Sequence, residues 1–176
     1  LSGLVGSEMC IRDSAITVAA RGGAPTDNGG FLAFRDSSSA GNASITVNQG
    51  ASVEFRDSSS AGNAVIENRG GSTTLWFNAN GGKAQITNFA GGLVNLLDDA
   101  SAGQARLVNG NGGVIDIADR ASADQATVVN NAGALLRISK LATAGVGIGS
   151  LEGAGNVLLG AKALTTGGLN TSTTLS

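Results

Sequence analysis

Residues 43–63 read ASITVNQGASVEFRDSSSAGN, and near-copies of this stretch follow it without a break. Residues 64–83 read AVIENRGGSTTLWFNANGGK, residues 84–104 AQITNFAGGLVNLLDDASAGQ and residues 105–125 ARLVNGNGGVIDIADRASADQ; from Ala126 the chain continues ATVVNNAGALLRISKLATAGV. The units are 21, 20, 21, 21 and 21 residues long, so the phase hardly drifts. An earlier copy spans residues 14–42, repeats FRDSSSAGN at residues 34–42 and carries eight extra residues. The excess falls at residues 22–30, GGAPTDNGG, whose proline, glycines and Asp-Asn pair mark a loop insertion. A fixed period of about 21 residues is the signature of a repeat architecture.

Inside each unit the apolar period is two. The first strand carries Ala43, Ile45 and Val47, then Ala64 and Ile66, Ala84 and Ile86, Ala105 and Leu107, Ala126 and Val128. The second is expected to carry Val53 and Phe55, Leu75 and Phe77, Val94 and Leu96, Ile115 and Ile117, then Leu136 and Ile138. Alternation over four to six residues, bounded by glycine and asparagine, predicts short half-buried strands. A helix fails because glycine interrupts the middle and end of each unit. One such unit cannot bury its apolar face alone, so equivalent strands must stack about 4.8 Å apart. The expected fold is all-β, a right-handed parallel β-helix of about 21 residues per coil, its hand taken from the general preference of parallel crossovers. Six coils over residues 14–146 make a rod on the order of 30 Å long, followed by an irregular continuation over residues 147–176. Alanines 43, 64, 84, 105 and 126 should form one interior column, and Asn68, Asn88, Asn109 and Asn130 should pass amide hydrogen bonds between coils.

Composition narrows function by exclusion. The 176 residues include no histidine or tyrosine, one cysteine and 28 glycines. Without histidine the commonest general base and metal ligand are missing. One cysteine makes neither an internal disulfide nor a thiolate zinc site. A net charge of −2 and 3% aromatic residues give no electrostatic or stacking case for nucleic acid. No apolar run is long enough to insert directly into a membrane as a helix.

The first 13 residues stand apart. Glu8-Met9-Cys10-Ile11-Arg12-Asp13-Ser14 resembles a translated transposon end of the kind used in sequencing-library preparation, so residues 1–13 are expected to be a disordered scar. The units A-x-I-x-N, Gly-Gly and F-R-D-S-S-S-A-G-N resemble passenger-domain repeats of bacterial autotransporters, the type V secretion proteins. Residues 148–176, IGSLEGAGNVLLGAKALTTGGLNTSTTLS, resemble the stretch that often precedes passenger-associated transport repeats. The resemblance implies an exported, adhesin-like stalk at the bacterial cell surface. It also implies a C-terminal outer-membrane β-barrel in the same full-length polypeptide as partner, and contact with a host or neighbouring-cell surface. It implies no catalytic residue and no cofactor.

Several residues compete with that reading. Asp36, Asp57, Asp98 and Asp119 fall at equivalent positions, with Lys140 replacing the acid in the next coil and an interruption near residues 78–80. Stacked carboxylates repel, and calcium would relieve this. The alternative is that each aspartate caps its own turn, accepting from N–H groups two or three residues on, with Arg35 and Arg56 beside two of them. A polysaccharide-acting lyase or glycosidase would need paired acids or an acid with a base. Asp98, Asp99, Asp116 and Asp119, with Arg137 or Lys140, are the nearest candidates. Ser37–Ser39 and Ser58–Ser60 lack a histidine to activate them. Gly153-Ala154-Gly155 lacks the residues of a phosphate loop and fits a tight corner. Trp76 and Phe89 fit packing better than ligand stacking. A threonine array, Thr46, Thr87 and Thr127, is broken by Glu67 and Val108 and does not make a regular ice-binding face.

Overall fold

Parallel strands stacked one unit apart are what the alternation demands, and the computed structural model has them throughout the residues it describes, 14–19 and 29–169. Residues 1–13, residues 20–28 of the inserted loop and residues 170–176 lie outside the described residues. One sheet has eight strands: β1 (Ala15–Val18), β3 (Ser44–Asn48), β5 (Val65–Arg69), β7 (Gln85–Asn88), β9 (Arg106–Asn109), β11 (Ala123–Asn130), β13 (Gly145–Glu152) and β15 (Ala163–Thr166). The other has seven: β2 (Phe31–Phe34), β4 (Ser52–Phe55), β6 (Ser72–Leu75), β8 (Leu93–Leu96), β10 (Val114–Ile117), β12 (Leu135–Arg137) and β14 (Asn156–Leu158). The chain alternates between them, so each strand meets its counterpart one coil away. A third side carries single parallel bridges, Ser39 to Ser60, Asn80, Ser101 and Ser122 in turn. The molecule is a parallel β-solenoid of about six turns.

The coil closes because its corners use left-handed backbone. Asp36, Asp57, Phe77, Asp98 and Asp119 have φ between 54° and 59°. Gly41, Gly62, Gly82 and Gly103 sit near 60° at the next corner. That second corner is fixed from the side: Ser60 Oγ accepts from the Gly62 N–H at 3.0 Å, and Ser39, Asn80 and Ser101 do the same for their glycines. At Gly62 a Cβ would also lie 2.7 Å from the Gly41 carbonyl oxygen, so the stacking distance itself demands glycine.

The interior follows the expected columns. Ala43, Ala64, Ala84, Ala105 and Ala126 are fully buried at one corner, beside Ile45, Ile66, Ile86, Leu107 and Val128. Phe34 and Phe55 stack with ring centroids 4.8 Å apart, and Leu75, Leu96, Ile117 and Ile138 continue their column. Each such side chain contributes roughly 1.5–3 kcal/mol through burial.

The third full coil departs from the sequence expectation. Ser52 pairs with Ser72, which sets Val53 against Thr73 and Phe55 against Leu75. Leu75 is therefore the partner of Phe55, and Phe77 lies outside the core at 45% exposure. The missing residue of this 20-residue unit comes out of the corner before β6, because β5 keeps the full spacing against β3. In the first copy Ala15 faces Ser44 while Phe31 faces Ser52, so the eight extra residues lie between β1 and β2. Beyond β11 the spacing changes: Val128 pairs with Leu151, and Val146 with Leu164. Here Asp124 replaces the corner glycine and β11 runs straight through the corner.

Candidate functional site

The asparagine column is the most polar feature of the core. Asn68, Asn88 and Asn109 are fully buried and Asn130 nearly so. Asn68 Nδ2 donates to Asn88 Oδ1 at 3.3 Å, Asn88 to Asn109 at 3.0 Å and Asn109 to Asn130 at 2.9 Å. The same amides donate to main-chain oxygens of the following coil, Leu93, Val114, Leu135 and Asn156. The ladder has a first member, since Val47 holds the preceding position. The terminal acceptor, Asn68 Oδ1, takes a hydrogen bond from Thr73 Oγ1 at 2.8 Å. That bond is why a threonine sits where Val53 and Val94 occupy the neighbouring coils. These amides tie coil to coil and face no solvent.

The aspartate column caps backbone, but across coils. Asp57 Oδ2 accepts from the Asp36 N–H at 3.1 Å, Asp98 Oδ2 from Phe77 at 3.3 Å, and Asp119 Oδ2 from Asp98 at 3.1 Å. The partner lies 21 residues earlier, not two or three residues on, because the left-handed residue turns its N–H along the rod. Phe77 interrupts the column directly, and Arg56 pairs with Glu54 at 2.6 Å instead of with an aspartate. Lys140 does not replace the acid. The turn after β12 closes with the Leu141 N–H donating to the Ile138 oxygen at 3.2 Å, the same span as the turn closed by Ala121 and Ala118 but begun one residue earlier relative to its strand. No left-handed non-glycine residue occurs there. Among the described residues, no three histidine, cysteine or acidic side chains lie close enough together to hold a metal ion.

The displaced turn brings Lys140 back over the outer face of the seven-stranded sheet. Its Nζ lies 3.1 Å from Asp116 Oδ2, which also accepts from Arg137 Nη2. Asp116 is 3% exposed. Its Oδ1 and the Arg137 Nε are buried with no hydrogen-bond partner among the described residues. Burial pushes the Asp116 carboxyl up, but the bonds from Arg137 and Lys140 outweigh this and hold it below the ordinary carboxylate range. The Arg137 guanidinium is correspondingly raised by its hydrogen bond to Asp116. Asp99 lies in a separate pair with Arg120, which lowers its carboxyl as well. A general acid needs a raised carboxyl and an arginine base a lowered guanidinium. The shifts run the other way.

No protein-family model, no curated protein and no solved structure matches the chain. The site residues therefore stand on their own geometry. Asp98 and Asp119 belong to the corner column, Asp99 pairs with Arg120, and only Asp116, Arg137 and Lys140 are brought together.

The remaining candidates resolve into packing. Ser38 Oγ donates to the Arg35 oxygen at 2.7 Å, and Ser59 Oγ to the Phe34 oxygen at 3.3 Å. Trp76 lies under the Arg56 guanidinium at 5.7 Å, and Phe89 under Arg69 at 5.0 Å. Gly153 and Gly155 form a corner against Asn130; a Cβ at Gly153 would lie 2.3 Å from the Asn130 carbonyl oxygen. Thr127 pairs with Arg106, not Val108, so it lies in the row beside Thr46 and Thr87 rather than in theirs. The displaced turn after Ile138 is the signal that sequence reading missed: it starts one residue early and leaves Leu141 buried and bridged to Asp119.

Proposed function

We propose that the chain is part of the stalk of a surface-displayed passenger of autotransporter type. It is exported and continued in the full-length polypeptide by a C-terminal outer-membrane β-barrel. The stalk holds a contact region out toward a host or neighbouring-cell surface. The observation that carries this reading is the use made of the repeated polar residues. Asparagine, aspartate and serine columns all serve coil-to-coil or corner hydrogen bonds, as a scaffold requires. Because each coil supplies the groups that the previous one lacks, folding can advance along the rod as the chain emerges. The test is recovery of the complete reading frame and display of the solenoid ahead of its own C-terminal region in a Gram-negative host. Surface accessibility to antibody in intact cells and a downstream barrel-coding region are expected. A frame without such a barrel, or a chain retained inside the cell, would overturn the proposal.

A further inference from the structure

We propose that Arg137 and Lys140, set in place by Asp116, bind the carboxylate of an acidic saccharide on the outer face of the seven-stranded sheet. The cluster is not required by the repeat. At the row holding Asp116, the earlier coils carry Glu54, Thr74 and Asn95, and none of them is a buried ion. A buried carboxylate with one unpartnered oxygen costs stability unless something else is gained. Here the gain is position. Asp116 fixes two cationic groups side by side while cancelling only one of their charges, leaving a local excess of one positive charge. Arg137 is 28% exposed and Lys140 58%, so both still present donors to solvent. An arginine beside a lysine offers a forked and a point donor to one carboxylate.

The surroundings select the rest of the ligand. Thr74, Asn95, Asp116 and Arg137 follow one another as strand partners, a polar row about 14 Å long. Thr74 is buried and takes a hydrogen bond from Asn95 Nδ2 on its Oγ1 at 3.1 Å, so the half-buried Asn95 is the neutral amide the row offers a ligand beyond the cations. Half-buried Asp98 and exposed Asp119 stand at the adjacent corner and would repel a polyanion. The match is a ligand with one carboxylate on a neutral, hydroxyl-rich body. This inference concerns the site alone and holds wherever the protein is displayed.

Isothermal titration of the full chain at low salt tests it, with sialyllactose and a glucuronate-terminated disaccharide as probes. Lactose supplies the uncharged control, and a short peptide with one glutamate the competing ligand class. Both acidic saccharides should bind at least tenfold more tightly than lactose. Lys140→Gln should weaken them about tenfold, the size of one charge-assisted hydrogen bond, while lowering the thermal melt less than Arg137→Gln does, because Asp116 keeps Arg137. Arg137→Gln should abolish binding but also lower the melt, because it strips Asp116 of its main partner; Lys140→Gln therefore decides. Absence of binding by both acidic saccharides, equal binding of lactose, or an unaltered affinity in Lys140→Gln would overturn the proposal. Tighter binding of the peptide would overturn the saccharide assignment.

Discussion

Replacing Thr73 by valine makes the core more apolar and should nevertheless destabilise the protein. Valine fits the position, because Val53 and Val94 occupy it in the adjacent coils. Exchange of a hydroxyl for a methyl adds about 0.8 kcal/mol of apolar burial. Against this, Asn68 Oδ1 loses its donor while remaining fully buried, which costs about 1–3 kcal/mol. The net loss should be about 0.2–2 kcal/mol, centred near 1, or a fall of roughly 2–4 °C in Tm for a domain of this size. Urea unfolding followed by circular dichroism should show a lower midpoint at an unchanged slope. An Asn68→Val background supplies the control, since Val47 holds that position in the preceding coil. There Thr73→Val removes no hydrogen bond and should be neutral or stabilising, giving a coupling of about 1–3 kcal/mol between the two sites. A Thr73→Val protein as stable as the parent, or an equal loss in both backgrounds, would refute the capped-ladder account.

Phe77 holds a left-handed conformation that a bulky side chain disfavours by about 1–2 kcal/mol. Phe77→Asp should relieve that strain and supply a carboxylate for the Asp57 N–H, raising stability by about 1 kcal/mol in a thermal melt at moderate salt. A charge in the alanine column, Ala84→Asp, falls at a fully buried position and should abolish the cooperative melt; an unchanged melt would contradict the register. The Asp116 carboxyl is depressed in the fold, so its contribution is present above the unfolded value near pH 4 and is lost as pH falls through the lower, folded value. Asp116→Asn should therefore be less stable at neutral pH and show a flatter stability profile below about pH 4. Millimolar calcium should leave Tm unchanged, because the corner carboxylates already accept backbone N–H groups; a rise of several degrees would show that a cation displaces them.

The error in the register of β6 has a physical origin. Pairing Val53 with Leu75 or with Thr73 differs by two residues, and a slip of two leaves every side chain on the same face. Periodicity is blind to it. The decision rests on where the 20-residue unit loses its residue, and Arg69-Gly70-Gly71 can give one up at the corner because the two strands flanking it are held by their own neighbours. Aspartate posed a similar difficulty. Its local turn partners and its partner a full coil away are equally compatible with the sequence, and only the direction of the left-handed N–H separates them.

By itself the sequence determined the unit length, the parallel stacking, the alanine and branched-aliphatic columns and the asparagine ladder. Each is a nearest-neighbour property of a repeat, and repetition writes it into the chain several times over. Only the tertiary structure decided the places where the repeat is broken once. Thr73 closing the ladder, Phe77 in the aspartate column and Lys140 folded back over Asp116 each depend on a single substitution or a turn displaced by one residue. A single event has no period, so its consequence appears only when strands 20 or 21 residues apart are set side by side.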